Sequence, residues 1–176
     1  MENEKRIITD RLVLRKLKRE DAEAMFRNWT SDPEVPKYTL WAVHDSVEVT
    51  KQLVDMWLKE DKNPKTVRFI ITLKEDDEPI GSIDVVEFHN DIPEIGYCLS
   101  RKHWNKGYMT EACQALINYL FELGYPKILI RANFKNIGSN KVIKKCGFKF
   151  THQEYIEHLS KEKPESALVN WYELKK

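Results

Sequence analysis

The chain has 176 residues, enough for one domain with a full core, and its 41% hydrophobic content argues against disorder. Lysine and arginine total 29 against 28 acidic residues, so the net charge of +1 gives no case for nucleic acid or a membrane as partner. No stretch approaches the ~20 apolar residues of a membrane helix, and no signal-peptide core is visible. We therefore expect a cytoplasmic protein.

The first half of the chain alternates between strand and helix patterns. In chain order it predicts a strand at 11–17, a helix at 20–29, a helix between Ser46 and Pro64, and a hairpin of strands at 67–73 and 80–88. Ser46 is a candidate N-cap for the second helix. The acidic residues of the hairpin turn at 74–79 are consecutive and lack ligand spacing, which favours a solvated loop over a metal site.

The second half of the chain contains a β-α-β unit. Its predicted elements are a strand at 94–100, a helix at 108–123, a strand at 127–133, a helix at 136–146, and strands at 148–156 and 167–174 joined by a charged loop. A crossover helix implies that its two flanking strands are parallel, whereas short connections favour antiparallel neighbours. We predict a single domain over 1–176 of the α/β (α+β) class, with a mixed, mainly antiparallel sheet of six to seven strands and helices on both faces.

The cysteines are Cys98, Cys113 and Cys146, and each lies in a predicted strand or near the apolar part of a helix. An odd number in such positions indicates reduced, buried thiols. A thiol nucleophile is the functional alternative, although no histidine has an obvious position beside one. The five histidines lack metal-ligand spacing, so we expect no metal.

The segment Trp104-Asn105-Lys106-Gly107-Tyr108-Met109-Thr110-Glu111-Ala112 joins a strand to a helix through a tight turn. The first N–H groups of a helix lack intrahelical partners, and the helix dipole is positive there, so such a turn can bind phosphate. Gly107 would let the backbone approach an anion closely. An ordinary strand-to-helix connection is the alternative from spacing alone.

This segment resembles the pyrophosphate-binding loop of the GNAT superfamily of acyl-CoA-dependent N-acyltransferases, which usually reads Gln/Arg-x-x-Gly-x-Gly/Ala. Trp104 and Met109 depart from its first and last positions. The stretches 9–15 and 32–35, and Asn136-x-x-Ser139 followed by Lys145-Cys146-Gly147-Phe148, are similar to the branch of ribosomal-protein N-terminal acetyltransferases. The resemblance covers nearly the whole chain and implies the GNAT fold and acetyl-CoA as cosubstrate.

The resemblance also implies the cofactor site. In relatives the strand before the loop parts from the next parallel strand, and the pantetheine arm pairs with the exposed main chain. By resemblance the pantetheine contacts are Cys98, Leu99 and Ser100, with Asn136 on an amide of the arm. The pyrophosphate contacts are Asn105, Lys106, Gly107, Tyr108, Met109 and Thr110. Asn136 could also be only a helix cap.

Two residues are candidates for the chemistry of amine acetylation. Glu94 aligns with a position where some relatives place a general base, and its alternative is a solvated or salt-bridged strand residue; Asp84 and Glu87 are rival bases. Ser139 matches the relatives' position for a hydroxyl that assists departure of the thiolate, and its alternative is simple capping.

The resemblance implies an amine acceptor, with a protein N-terminus such as that of a ribosomal protein as the first expectation. Small-molecule amines, amino acids and antibiotics are alternatives within the family. Tyr38 and Trp41 are candidate acceptor-binding residues. A non-catalytic acyl-CoA sensor or interaction module is the alternative function, and the joint presence of Glu94, Asn136 and Ser139 favours the enzyme. The expected state is a monomer or homodimer.

Overall fold

The structure, a computed structural model, describes residues 5–157 and 165–176. Its elements in chain order are β1 (Ile7–Ile8), β2 (Leu12–Arg15), α1 (Asp21–Met25), α2 (Val47–Glu60), β3 (Arg68–Leu73), β4 (Pro79–His89), β5 (Ile92–Leu99), α3 (Tyr108–Glu122), β6 (Lys127–Asn133), α4 (Ile137–Lys145), β7 (Lys149–Ile156) and β8 (Ala167–Lys175). The charged loop expected between the last two strands falls mostly on 158–164, which lie outside the described residues.

The strands form one sheet in the order β1-β2-β3-β4-β5-β6-β8-β7. β5 and β6 are parallel, and every other described pair of neighbours is antiparallel. This arrangement confirms the predicted mixed, mainly antiparallel sheet with its β-α-β unit. The sheet has eight strands rather than six to seven, because β1 contains only two residues and is too short to produce an alternating pattern.

The first predicted helix is interrupted. α1 ends at Met25 and continues as a single π-helical turn, Phe26–Thr30. In a π turn, residues five apart share a face, as Met25 and Thr30 do here. Both are buried, together with Trp29. The Thr30 hydroxyl meets that of Thr50 on α2 at 2.8 Å, so the irregular turn joins the two helices.

The two faces of the sheet carry separate apolar clusters. The larger lies under α3 and α4, and the smaller lies under α1 and α2, where it includes Met25, Trp29, Val54 and Ile70. Because side chains alternate along a strand, Ile95, Tyr97 and Leu99 of β5 face α3 and α4, whereas Glu94, Gly96 and Cys98 face the other side. None of the helices in the described ranges is long and apolar enough to cross a membrane.

The ends of α3 and α4 have ordinary caps, whereas the start of α2 does not. Gly124 after α3 and Gly147 after α4 have left-handed φ angles of 93° and 90°, as helix-terminating glycines require. Asn136 caps α4 by accepting a hydrogen bond from the Ser139 N–H at 3.1 Å. Ser46 occupies the N-cap position of α2, but its side chain makes no capping hydrogen bond.

One arginine on β3 is surrounded by three carboxylates. The Arg68 guanidinium lies 2.8 Å from Glu60, 2.9 Å from Asp61 and 3.6 Å from Asp84, and it stacks on the ring of Trp57. Burial raises the pKa of Asp84 to about 6, which the nearby guanidinium only partly offsets. Burial also raises the pKa of Asp61. One positive charge is therefore shared among more carboxylates than it can neutralise.

Replacing Asp84 by asparagine is expected to stabilise the protein at neutral pH, since the amide has no charge to desolvate. The carboxyl has a pKa of about 6 in the folded protein rather than its ordinary value of 3.8, so the folded wild type binds this proton more tightly than the unfolded chain. Its contribution to stability is therefore present below about pH 4 and is lost as the pH rises through about 6. The difference corresponds to at most about 3 kcal/mol.

Urea unfolding between pH 4 and pH 8 measures this effect. The gap between Asp84→Asn and wild type should widen from pH 4 to pH 6 and then level off. Asp10→Asn, at an exposed carboxylate in the turn before β2, is the matched control and should follow the wild type. Parallel curves for Asp84→Asn and wild type across the whole range would contradict the prediction.

Candidate active site

The central feature of the site is the parting of β5 and β6. Their register pairs Glu94 with Leu129 and Ile95 with Ile130, and among the described residues no further pair joins the two strands. Beyond this point β5 continues to Leu99 along β4, while β6 continues to Asn133 along β8. The gap between the two strands opens toward the ends of β5 and β6 that lead into α3 and α4.

The loop between β5 and α3 contains two residues with a left-handed backbone. Asn105 and Gly107 have left-handed φ angles of 60° and 81°, on either side of Lys106. Alternation of this kind is typical of an anion-binding nest, in which successive N–H groups turn toward one point. The first intrahelical bond of α3 is from the Glu111 N–H to the Gly107 C=O, so the N–H groups of Tyr108, Met109 and Thr110 have no intrahelical partner.

The turn between β1 and β2 holds this loop in position. Arg11 donates to the Lys106 C=O at 2.9 Å and to the Glu111 carboxylate at 2.7 Å, and its guanidinium stacks on Tyr108 at 4.2 Å. Partial burial opposes ionisation of Glu111, but hydrogen bonds from Thr9 and Arg11 lower its pKa. The ionised carboxylate therefore links β2 to the first turn of α3.

Trp104 stands where the family pattern has Gln or Arg. Its indole N–H donates to the Leu99 C=O at 2.8 Å, so it closes the end of β5 against the loop. The main-chain groups of Ser100 are used inside the protein, because its N–H donates to Ile80 and its C=O accepts from His103. The Ser100 hydroxyl is buried and has no hydrogen-bond partner.

Ser139 does not cap α4, because Asn136 performs that role. Its hydroxyl lies 3.0 Å from the hydroxyl of Tyr97, which also approaches the Ser139 C=O at 3.3 Å. Burial raises the pKa of Tyr97 above its usual range, so the phenol stays protonated. This pair of hydroxyls connects β5 to α4.

The turn into α4 is held from the opposite strand. The Asn140 amide donates to the C=O groups of Asn133 and Asn136, and its carbonyl accepts from Asn170 and Tyr172. Asn140 is 8% exposed. Because one amide joins β6, α4 and β8, the backbone that carries Ser139 is fixed relative to the gap.

Glu94 lies at the vertex of the gap, on the face of the sheet that carries α1 and α2. Its side chain is 2% exposed and both of its oxygens have partners: Arg131 Nε at 2.9 Å and His89 Nε2 at 2.7 Å. The Arg131 guanidinium and the edge of the His89 ring also contact Trp171. Glu94 is thus ion-paired and buried, yet it is connected to the surface through His89.

His89, Glu94 and the more exposed Glu87 place one ligand atom each within 4.8 Å of one another, which would suit a metal ion. A cation there would have to displace the hydrogen bond between His89 and Glu94. It would also have to share a carboxylate with the positive charge of Arg131. These contacts indicate a hydrogen-bonded cluster rather than a metal centre.

Gly96 is adjacent to this cluster on β5. A Cβ at this position would lie 2.8 Å from Val86, the residue in the β-bulge of the paired strand. The glycine thus accommodates a bulged neighbour, which is a common reason for glycine within a strand. Asp84 is the register partner of Gly96 on β4.

The thiols are not placed for nucleophilic chemistry. The three cysteines are free, as predicted. Burial raises the pKa of Cys98 to about 11, although the Ser82 hydroxyl lies 3.3 Å from its sulfur. Cys98 is half-buried, whereas Cys113 on α3 and Cys146 at the end of α4 are buried. A hydrogen bond between these two thiols lowers the pKa of Cys146 and raises that of Cys113. Burial limits access to both sulfurs, so neither is exposed for nucleophilic attack.

Two features flank the Glu94 face. Tyr38 lies in a short turn, Pro36–Tyr38, and is 37% exposed, while Trp41 packs on the cluster beneath α1 and α2 and contacts the ring of His44. On the other side is a cavity of about 390 Å³. It is lined by His89, Lys127, Leu129, Thr151, His152, Glu154, Trp171 and Glu173.

Sequence reasoning missed Tyr97, His89 and Arg131. Each meets its partner across different elements, so no spacing along the chain reveals the pairing. The sequence held only an indirect signal for these residues. Alternation in β5 places Tyr97 and Glu94 on opposite faces of the sheet. The parallel pairing of β5 with β6 then brings residues of β6 beside Glu94.

Comparisons with known proteins identify the family of the chain. The family model for the acetyltransferase (GNAT) domain matches residues 11–149. The N-acetyltransferase p20 of Bacillus licheniformis is 36% identical over 145 residues, which cover 81% of this chain and 81% of that protein.

Two solved structures share the fold. One is a putative ribosomal-protein-serine acetyltransferase from Vibrio cholerae, with a TM-score of 0.85, 21% identity and full coverage of both chains. The other is the microcin C7 self-immunity acetyltransferase MccE in complex with acetyl-CoA and AMP, with a TM-score of 0.82 and 19% identity over 96% of this chain and 94% of that one. The match over residues 11–149, together with p20, shows that the chain belongs to the GNAT acetyltransferase family.

Proposed function

We propose that this protein transfers an acetyl group from acetyl-CoA to a primary amine, with a protein N-terminus as the preferred acceptor. The observation that carries the proposal is the parting of β5 and β6 directly beside the nest at the start of α3. Together they offer a slot that fits the extended pantetheine arm of CoA and a cradle that fits its diphosphate.

The cradle consists of main-chain groups from Asn105 to Thr110. In this proposal the N–H groups of Tyr108, Met109 and Thr110 meet the pyrophosphate, and Gly107 leaves room for it. Lys106 adds positive charge. The pantetheine arm follows the edge of β5 at Cys98, Leu99 and Ser100, with the Asn136 side chain on the far wall of the gap.

The chemistry requires two proton movements. The attacking amine must lose a proton, and the departing thiolate, whose basicity resembles that of cysteine with a pKa near 8.5, is stabilised by a hydrogen-bond donor. We assign the first movement to the Glu94 cluster and the second to the hydroxyls of Ser139 and Tyr97. The two groups lie on opposite faces of β5, so each can act from its own side of the thioester.

The acceptor approaches from the face that carries Glu94. An α-amine, with a pKa of about 7.7–8.0, needs less help at neutral pH than a lysine amine at about 10.4. Tyr38 and Trp41 on one side and the cavity beside Trp171 on the other would contact the acceptor. The similarity in fold to the Vibrio cholerae protein supports a protein N-terminus, with small-molecule amines as the alternative acceptors.

Release of free CoA thiol from acetyl-CoA tests the function directly. The acceptors are peptides with N-terminal serine or alanine, free amino acids, polyamines and lysine peptides. We expect N-terminal peptides to give the highest kcat/KM, and we expect no loss of activity after treatment with a chelator. Tight acetyl-CoA binding without transfer to any amine would instead identify a non-catalytic acyl-CoA sensor.

Gly107→Val is expected to weaken acetyl-CoA binding. A β-branched residue is strained at a φ of 81° and would intrude on the cradle, and loss of one hydrogen bond to a charged group is worth about 1.5–3 kcal/mol, or roughly tenfold or more in affinity. Calorimetry with acetyl-CoA measures the change. Gly124→Val is the matched control, because it has a φ of 93° with nothing within 4 Å and lies at the opposite end of α3.

Equal acetyl-CoA affinities for Gly107→Val and Gly124→Val, both folded, would remove Gly107 from the cofactor site. A lower affinity for Gly107→Val alone supports the cradle, since both variants carry the same backbone strain.

Ser139→Ala is expected to lower kcat with little change in acetyl-CoA affinity, because its hydrogen bond strengthens only as charge builds on sulfur. Contributions of this kind are roughly 10²–10⁴-fold. Helix stability should hold, since Asn136 is the cap of α4. Tyr97→Phe is the companion variant: if it loses more kcat than Ser139→Ala, the phenol is the donor, and full kcat in both variants excludes the pair.

A further inference from the structure

We propose that His89 is the general base of the transfer reaction and that Glu94 positions its imidazole; this inference rests on the proposed acetyl transfer. It departs from the expectation that Glu94 itself takes the proton. The structural basis is a buried carboxylate with an arginine on one oxygen and a partly exposed histidine on the other.

The hydrogen bonds of Glu94 leave it poorly suited to accept a proton. Oε1 accepts from Arg131 Nε at 2.9 Å and Oε2 meets His89 Nε2 at 2.7 Å. Protonating the carboxylate would break up an ion pair whose acidic member is 2% exposed, and an unpaired Arg131 would remain. Breaking such a buried pair is costly, so the carboxylate is better suited to hold charge than to gain a proton.

The same contacts prepare His89 to act. An ionised carboxylate only accepts hydrogen bonds, so the Nε2 that faces Glu94 carries a hydrogen, and the neutral ring has its lone pair on Nδ1. Imidazole, with an ordinary pKa of about 6.5, is closer to an α-amine than a carboxyl group at about 4.3, and this favours proton transfer near neutral pH. A carboxylate that orients a histidine by one ring nitrogen is the arrangement of the Ser-His-Asp triad.

The charged groups nearest to the ring are carboxylates. The charged and titratable groups that face His89 or line its cavity are Glu87 from β4, Glu94 from β5, Lys127 and Arg131 from β6, His152 and Glu154 from β7, and Glu173 from β8. The nearest are carboxylates: Glu94 at 2.7 Å and Glu87 at 3.7 Å. Lys127 is ion-paired with Glu173, and Arg131 with Glu94. The charges closest to the imidazolium are therefore negative.

The position of the ring also suits the reaction. Its orienting partner, Glu94, precedes Ile95, the last position at which β5 pairs with β6 before the two strands part. The ring itself is edge-on to Trp171 and borders the cavity of about 390 Å³, and the His89 side chain is 34% exposed. A base here lies between the vertex of the gap and solvent, so a proton taken from the amine can leave to water.

The amine lone pair forms the C–N bond at the thioester carbonyl carbon, and the C–S bond breaks with its electron pair on sulfur. The proton of the attacking nitrogen moves to His89 Nδ1. The thiolate accepts hydrogen bonds from the hydroxyls of Ser139 and Tyr97, which keep their own protons, and it takes a proton from solvent. The products are an amide and a thiol, and His89 then loses its proton to solvent.

Three variants test the assignment: His89→Ala, Asp84→Asn and the control Asp10→Asn. With wild type, each is assayed for kcat/KM between pH 5.5 and pH 9.5, with and without added imidazole. We expect His89→Ala to lose roughly 10²–10⁴-fold near pH 7 and less at high pH, where the amine is already neutral. Added imidazole, which can enter the cavity, should restore at least part of that loss. Asp10→Asn removes an exposed carboxylate in the turn before β2 and should stay within about threefold of wild type.

Acetyl-CoA affinity, measured by calorimetry, should be unchanged in His89→Ala, since the ring is not on the cofactor side of the gap. A merely structural role for His89 predicts a loss that is equal at every pH and is not rescued by imidazole, and this result would overturn the proposal. Wild-type activity in His89→Ala would also overturn it. If the fall of kcat/KM at low pH disappears in Asp84→Asn but remains in His89→Ala, the base is Asp84, and the proposal is likewise overturned. Wild-type protein that releases no thiol with any amine overturns the proposed function itself, and is distinct from these results.

Discussion

The parting of β5 from β6 is the constraint on which the rest of the site depends. β5 stays paired with β4 to Leu99, and β6 stays paired with β8 to Asn133, so after Ile95 each strand follows a different neighbour. This separation leaves one edge of β5 without a strand partner. It also places the N-termini of α3 and α4 at the two rims of one opening, because both helices begin just after the strands that part. A sheet with a complete β5–β6 ladder would have no slot for an extended ligand.

The loop at the start of α3 shows how a departure from a family pattern can be absorbed. Trp104 replaces the usual Gln or Arg, yet its indole closes the end of β5 through Leu99. Positive charge beside the loop comes instead from Arg11, just before β2, which reaches the Lys106 carbonyl and the Tyr108 ring. Since a nest binds anions through main-chain groups, the backbone conformation at Asn105 and Gly107 matters more than the side chain at position 104.

The elements with strong local signals could be predicted from sequence, and those created by tertiary contacts could not. Gly124 and Gly147 end helices because left-handed positions favour glycine, and the β-α-β unit follows from chain order alone. By contrast, the π turn after Met25 depends on packing against α2, and β1 is too short for any pattern. The candidate site divides in the same way: the α3 loop is contiguous in sequence, whereas Tyr97–Ser139 and His89–Glu94–Arg131 each join separate strands and helices. For that reason Ser139 was identified but its hydroxyl partner was not.

Two carboxylates on the same face of neighbouring strands have different surroundings. Asp84 shares Arg68 with Asp61 and Glu60, and burial raises its pKa to about 6, which the shared guanidinium only partly offsets. Glu94 has its own guanidinium at 2.9 Å and a histidine on its second oxygen at 2.7 Å. Asp84 therefore contributes a pH-dependent cost of burial, whereas Glu94 is held in a fixed geometry between two partners. A carboxylate fixed in this way can orient the imidazole beside it, which is why the geometry around Glu94, rather than that around Asp84, is suited to position a base beside the gap.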